Sequence, residues 1–477
     1  MFRKAFTIVL SLTFLVLAAS AAMAYRPNAS DVNVPPGYKI EPFLTGLTTP
    51  MGVTFGEGEI FVAESGWLSP SKKPAAIQVF NMHGKHLRTL AAGKLDVNAL
   101  GITYYDGSLY VSGINTILKV NPKTGAVSTV LKNLPSYGDH NVSKVQFKGG
   151  YMYWGLGSYT NSGVVGTDVA GPTLAKTVDP NTGERAHDVP CRDIKLSGVS
   201  YKTENGKVST SPFRPYGVTA PRGFVVKGQV PCSSSVLRAP IDDPHHIELM
   251  DWGFRNPFGL AFSPEWHPVL HGALLVANNG MDHRGSRPVD NAPDELFVAT
   301  GTGAFHGWPD VEGFLHATWK QGSADVTGNV LGDNARGAKA VYEELPMPVT
   351  NPIAVFPVDS SADGMDFSRN HQFGMEGDLF VSMWGQIGFA PVDQQENAHR
   401  VVRVHFLSPA GTQITDFATN KVPGPADQTG KGGFNHPVDV RFSPDGMAMY
   451  ITDFGPVDVR AFRPTDGAGV VWKVTRK

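Results

Sequence analysis

The chain has 477 residues, 41% of them hydrophobic and 18% charged, so there is ample apolar surface for a packed core. A formal net charge of -2 excludes a general nucleic-acid or anionic-membrane surface, both of which need a basic excess, and leaves a small-molecule or protein partner. The 53 glycines and 36 prolines are spread along the chain, which suits many short strands joined by tight turns.

Arg3 and Lys4 precede an apolar run from Ala5 to about Ala19, and Ala22-Met23-Ala24 supplies the small-x-small pattern that a signal peptidase reads. Residues 1–24 are expected to be a signal peptide, with the mature chain beginning near Tyr25 and residing in the periplasm or outside the cell. The run is too short for a lasting span, so no stable membrane segment is expected in the mature chain. An export route also bears on the two cysteines, Cys191 and Cys232, each preceded by Val-Pro. An oxidising compartment favours a disulfide between them. The alternative is two separate buried thiols. No CxxCH motif occurs, so the chain carries no covalent c-type haem.

One pattern then returns six times: a short loop, an alternating apolar strand, a Gly or Asp-Gly turn, and an aromatic-rich strand ending in small or polar residues. It appears as PMGVTFGEGEIFVAES at Pro50, NALGITYYDGSLYVSG at Asn98, HNVSKVQFKGGYMYWGLGS at His140, RNPFGLAF…LLVANNG at Arg255, ADGMDFS…GDLFVSMWG at Ala362 and HPVDVRFSPDGMAMYITDFG at His436. Further strands follow most copies, as in TILKVNPKTGAVSTVL, HRVVRVHF and VVWKV. The reading is all-β: a six-bladed propeller of four-stranded antiparallel blades over residues 25–477, in which neighbouring blades bury each other's faces and closure removes sheet edges. The last strand, near Val470 to Val474, is expected to close a blade with a segment near Tyr38 to Phe43. Two tandem sandwiches are the competing all-β reading. Uneven spacing marks a long insertion, Gly163 to about Thr219, of the kind that carries function on a rigid scaffold.

The fourth copy holds the densest chemistry. Arg255 and Asn256 begin a strand, Asn278, Asn279, Gly280 and Asp282 leave the next one, and Asp294-Glu295 begin the third. Carboxylates, amide oxygens and glycine-exposed carbonyls converging on one loop are what calcium takes, although Asp294 and Glu295 serve equally as turn caps.

The order RNPFGL, ANNGMD, PDELFVATG and GWP resembles the soluble quinoprotein glucose and sorbosone dehydrogenases, six-bladed propellers that hold pyrroloquinoline quinone through calcium. The resemblance covers most of the mature chain, including DHNVSKVQF, GDLFVSMWG and PVDVRFSPDG. It implies His140 as the general base on a sugar hydroxyl, Arg255 and Asn256 facing the cofactor, Gly280 and Met281 lending carbonyls to calcium, and Asp294 and Glu295 as calcium-associated carboxylates. The blander reading of His140 is a hydrogen-bonded histidine near a turn. Where many members have an arginine in the last blade this chain has Asn435-His436, and fifth-blade cations are absent apart from Arg369 nearby. His436 and Trp384 are the cofactor-facing candidates there, with Trp384 and Phe389 forming either a stacking wall or ordinary blade packing. The implied protein is an exported oxidoreductase using pyrroloquinoline quinone and calcium on a sugar or related alcohol or aldehyde, passing electrons to an external acceptor such as a cytochrome or quinone. A non-catalytic carbohydrate- or protein-binding propeller and a calcium-dependent lactonase-like hydrolase are the alternatives.

Overall fold

The computed structural model describes residues 25–66, 73–96, 98–169, 177–203, 206–289, 292–312, 315–316, 339–385, 398–408, 411–458 and 463–477. The expected signal peptide and Phe389 lie outside these residues.

Each sequence repeat becomes the first hairpin of one antiparallel sheet. Blade 1 runs Pro50–Gly56, Glu59–Glu64, Ala76–Asn81 and His86–Leu90; blade 2 runs Gly101–Tyr105, Ser108–Ser112, Ile117–Val120 and Val127–Leu131. Blade 3 comprises Gln146–Lys148, Tyr151–Leu156, Ser235–Pro240 and Glu248–Trp252, and blade 4 Asn256–Phe262, Leu274–Asn279, Pro293–Ala299 and Ala354–Val358. Blade 5 is Ala362–Phe367, Leu379–Met383, Arg400–Ser408 and Gly411–Asn420, with Val32–Asn33 added as a fifth strand. Blade 6 is Pro437–Phe442, Ala448–Asp453, Gly469–Arg476 and, outermost, Tyr38–Leu47. The protein is a six-bladed β-propeller.

The first hairpins are set by their turns. Glu57-Gly58, Asp106-Gly107 and Gly149-Gly150 all take positive φ at both positions, the two-residue turn whose twist matches that of antiparallel strands. The alternation expected of the first strands is missing in blade 1, where Pro50 to Thr54 are all buried, and in its second strand Ile60, Phe61, Val62 and Ala63 are fully buried as well. Blades cover both faces of an inner strand, so an unbroken apolar run replaces alternation. The main apolar clusters accordingly sit between adjacent blades, as where Phe61 and Ile77 of blade 1 meet Ile102 and Val111 of blade 2.

The ring closes as expected, Ile40 pairing with Val474 and Tyr38 with Arg476. Val32 opposite Asn420 ties the same N-terminal segment to blade 5, so one stretch fastens two neighbouring blades. The cysteines form the disulfide, with Cα atoms 5.1 Å apart. It closes the base of the segment between Leu156 and Ser235, which folds into two short ladders, Ile194–Lys195 with Val225–Val226 and Tyr201–Lys202 with Ser209–Thr210. No helix among the described residues is long and apolar enough to cross a membrane.

Candidate functional site

The six inner strands start around one central cavity of about 350 Å³, to which every blade contributes. Met51, Leu100, Phe258, Trp384 and Val438 give it apolar walls; Asn98, Asn141, Asn256 and Asn279 give it amides; Asp139, Asp168, Asp363 and His140 complete the polar side. No Lys or Arg lines it among the described residues. Beneath it the channel is plugged by an ion pair, Lys144 Nζ to Asp439 Oδ2 at 2.6 Å, and burial holds the Lys144 ammonium down to about 8.

His140 is fixed on the cavity rim from both sides of its ring. Nδ1 lies 3.1 Å from the Ser158 carbonyl and 3.0 Å from Ser158 Oγ, while Nε2 is 3.6 Å from Asp139 Oδ2. This packing needs Gly157, since a Cβ there would stand 2.3 Å from the His140 Cβ. Behind it lies a cluster in which Arg284 holds three carboxylates: Asp139, Asp168 at 3.1 Å and Asp282 at 2.9 Å. Arg255 holds Asp282 from the other side. Enclosure, together with the two guanidiniums and against the pull of Asp139, lowers the imidazole to about 4, so it is neutral near pH 7. Burial raises the Asp139 carboxyl, but Arg284 and its neighbours outweigh that and hold it below the usual range.

A second polar chain leads inward from the cavity. Asn256 donates from Nδ2 to Asn279 Oδ1 at 2.6 Å and from its backbone to Asn278 Oδ1, and Asn278 donates to Glu295 Oε2 at 2.8 Å. Next to Glu295 is Glu312, 1% exposed, to which no N–H or O–H of another residue donates among the described residues and which hydrogen-bonds Glu295 as the protonated acid. Burial and the neighbouring Glu295 push the Glu312 carboxyl well up. Asp363, on the cavity wall, is likewise pushed well up by burial and by Asp294.

No protein-family model matches the chain. An uncharacterised protein of Borreliella burgdorferi is 22% identical over 459 residues, covering 93% of this chain and 94% of that one. Among solved structures, the Trichoderma reesei carbohydrate-active enzyme of family AA12 superposes with a TM-score of 0.58 at 15% identity, over 95% of this chain and 99% of that one. The holo pyranose dehydrogenase PQQ domain of Coprinopsis cinerea gives 0.53 at 14% identity over 95% and 98%, and the apo soluble aldose sugar dehydrogenase of Escherichia coli gives 0.51 at 13% over 92% and 100%. The six-bladed fold is shared with these three proteins.

Within that fold the residues singled out from sequence divide into two groups. His140, Asn256 and Trp384 stand on the cavity wall. His436 lies one layer behind, its ring 4.9 Å from the Trp384 indole and its Nδ1 on the Trp384 carbonyl. Arg255, 3% exposed, is engaged by Asp282 and the Asn161 carbonyl instead of facing the cavity. Both Asp294 oxygens are taken by protein donors: Gly280 N–H at 2.8 Å, Ser360 Oγ at 2.9 Å and Ala362 N–H at 2.8 Å. Met281 is buried in the apolar core. Arg369 leaves the far end of its strand and pairs with Asp366, so it gives the cavity no charge. Among the described residues no group of three or more His, Cys, Asp or Glu is gathered for a metal. Sequence reasoning missed Arg284, Asp168 and Glu312, which lie outside the repeat motif, and Asp363, which lies within the fifth copy but was not singled out there.

Proposed function

We propose that the chain is an exported oxidoreductase that admits a sugar or related alcohol or aldehyde to the central cavity, with pyrroloquinoline quinone and calcium as cofactors and an external electron acceptor. One observation carries this reading: a neutral, doubly positioned imidazole on the rim of a cavity sized for a small organic molecule. The disulfide suits the oxidising compartment that export implies.

The residues present can be tested against the cofactors. Flat apolar walls from Phe258 and Trp384 suit a planar ring system, and the asparagines offer donors to its oxygens. Among the described residues the wall offers a tricarboxylate no cation, and its aspartates Asp139 and Asp168 are already paired with Arg284. A divalent ion would supply the positive charge that the quinone needs. Glu295 and Glu312 with the Asn278 amide are the oxygen donors suited to calcium, since the two buried carboxyls share a hydrogen bond and an ion would take the place of its proton. Asp294, already saturated by protein donors, is not.

When bound, the quinone would supply the hydride acceptor. The chain itself does the rest. With Nδ1 held at Ser158, His140 Nε2 accepts the proton of the substrate hydroxyl, and Asp139 stabilises the imidazolium that forms. Asn141 and Asn256 orient the hydroxyls, while the apolar wall excludes water. The test is absorbance titration of the purified protein with quinone in millimolar calcium, followed by dye reduction over a panel of sugars. Absence of binding removes the dehydrogenase reading. The acidic, amide-rich wall would then favour a carbohydrate-binding propeller without turnover, and hydrolysis of a lactone panel without quinone would favour the hydrolase.

A further inference from the structure

We propose that His399 and His436 form a binding site for an imidazole-seeking transition-metal ion, zinc or copper, in the wall behind Trp384.

Both imidazoles are 1% exposed. Each uses Nδ1 on a backbone carbonyl, His399 on Asn435 and His436 on Trp384, the latter at 3.1 Å. A carbonyl accepts only, so each ring carries its proton on Nδ1 and presents a lone pair at Nε2. Among the described residues neither Nε2 has a hydrogen-bond partner. Two orphaned acceptors in one buried place are costly unless something occupies them, because a desolvated lone pair forfeits its bond to water. The N–H to carbonyl bond on the far nitrogen is also the arrangement that orients metal-ligating histidines and fixes their tautomer.

The spacing fits one ion. Two imidazoles bound through nitrogen to a tetrahedral centre at about 2.0–2.1 Å have ring centres about 5 Å apart. These ring centres are 5.1 Å apart, with planes at 69°. Gly385, at φ 86, keeps room beside His399: a Cβ there would stand 2.7 Å from Nε2. The backbone that carries His436 is held in place by Asp453, which accepts the N–H groups of Asn435 at 2.9 Å and His436 at 2.8 Å. With two nitrogen ligands and no third His, Cys, Asp or Glu among the described residues, the remaining positions fall to water or a small ligand. Imidazole donors favour zinc and copper over calcium or magnesium, so this site is chemically distinct from the carboxylates at Glu295.

The experiment uses untagged, chelator-treated mature protein titrated with zinc by calorimetry and with cobalt by visible absorption. One zinc per chain is expected, with tetrahedral cobalt absorption, and a loss of at least tenfold in zinc affinity in both His399→Ala and His436→Ala. His246→Ala, whose side chain is 68% exposed, should leave uptake unchanged. Uptake unaltered in both variants, or no uptake by the unmodified protein, overturns the proposal. Should the variants fail to fold, anomalous scattering at the zinc edge from crystals of the unmodified protein decides: a peak between the two rings supports the site, and its absence there overturns it.

Discussion

Asp294, in the third strand of blade 4, accepts the backbone N–H of Ala362 in the first strand of blade 5 at 2.8 Å. The same carboxylate takes Gly280 N–H and Ser360 Oγ, so it stitches two blades at the cavity's edge. Asp294→Ala should strand these buried donors and cost about 3 kcal/mol in denaturant unfolding. Calcium affinity by calorimetry should be unchanged. A variant of normal stability with weakened calcium binding would restore the metal-ligand role to this residue.

Glu312 bears on calcium more directly. Its folded carboxyl is raised, so its contribution to the metal-free protein is present below the unfolded value of about 4.3 and is lost as pH rises. Metal-free protein should therefore melt at lower temperature at pH 8 than at pH 5, with calcium recovering the loss. Glu312→Gln should reduce the pH dependence, the part that remains coming from other raised carboxyls such as Asp188 and Asp363, and should abolish the calcium effect. Calorimetric scans at the two pH values, with and without calcium, measure both.

His140→Ala should lower turnover by roughly 10² to 10⁴ while leaving quinone and calcium binding in place. The acid limb of kcat/KM should fall near pH 4, where burial and the guanidiniums place the imidazole, instead of near 6.5. Arg284→Gln removes one of those cations and frees Asp139, both of which favour the imidazolium, so the limb should move to higher pH. A limb that stays put in this variant would mean that the cluster does not tune His140.

Breaking the disulfide by Cys191→Ser with Cys232→Ser opens a loop of 41 residues, which the chain-entropy model values at about 3 to 4 kcal/mol. The loss should concentrate in the inserted segment. Hydrogen exchange should rise between residues 177 and 234 and remain low in the strands of blades 5 and 6. Uniform loosening of the ring would show that the insertion is part of the global folding unit.

Chain order alone supplied the blade number and the opening hairpin of each blade, because those are local: a two-residue turn such as Asp106-Gly107 and an apolar run such as Ile60 to Ala63 are written in consecutive residues. Ring closure, which pairs Tyr38 with Arg476, followed from counting repeats, since the first and last segments are what remains to complete the sixth blade. His140, Asn256 and Trp384 were legible for a related reason. Each lies toward the channel end of an opening hairpin, His140 and Asn256 ahead of or at the start of its first strand and Trp384 just past its second, and antiparallel pairing brings both of those ends to the channel.

What only the tertiary structure decided was charge. Sequence placed Arg255 toward the cavity and Asp294 toward a metal, yet both ionised groups are satisfied by partners distant in the chain or across a blade boundary: Asp282 for Arg255, Ala362 and Ser360 for Asp294. Whether a charge faces a ligand depends on which opposite charges or donors fold against it, and a repeat pattern carries no record of that. The same holds for the buried acceptors. Glu312 lies on an insertion after the GWP turn and meets Glu295 only in the fold, while His399 and His436 come from two different blades, and among the described residues no donor is folded against their Nε2 atoms.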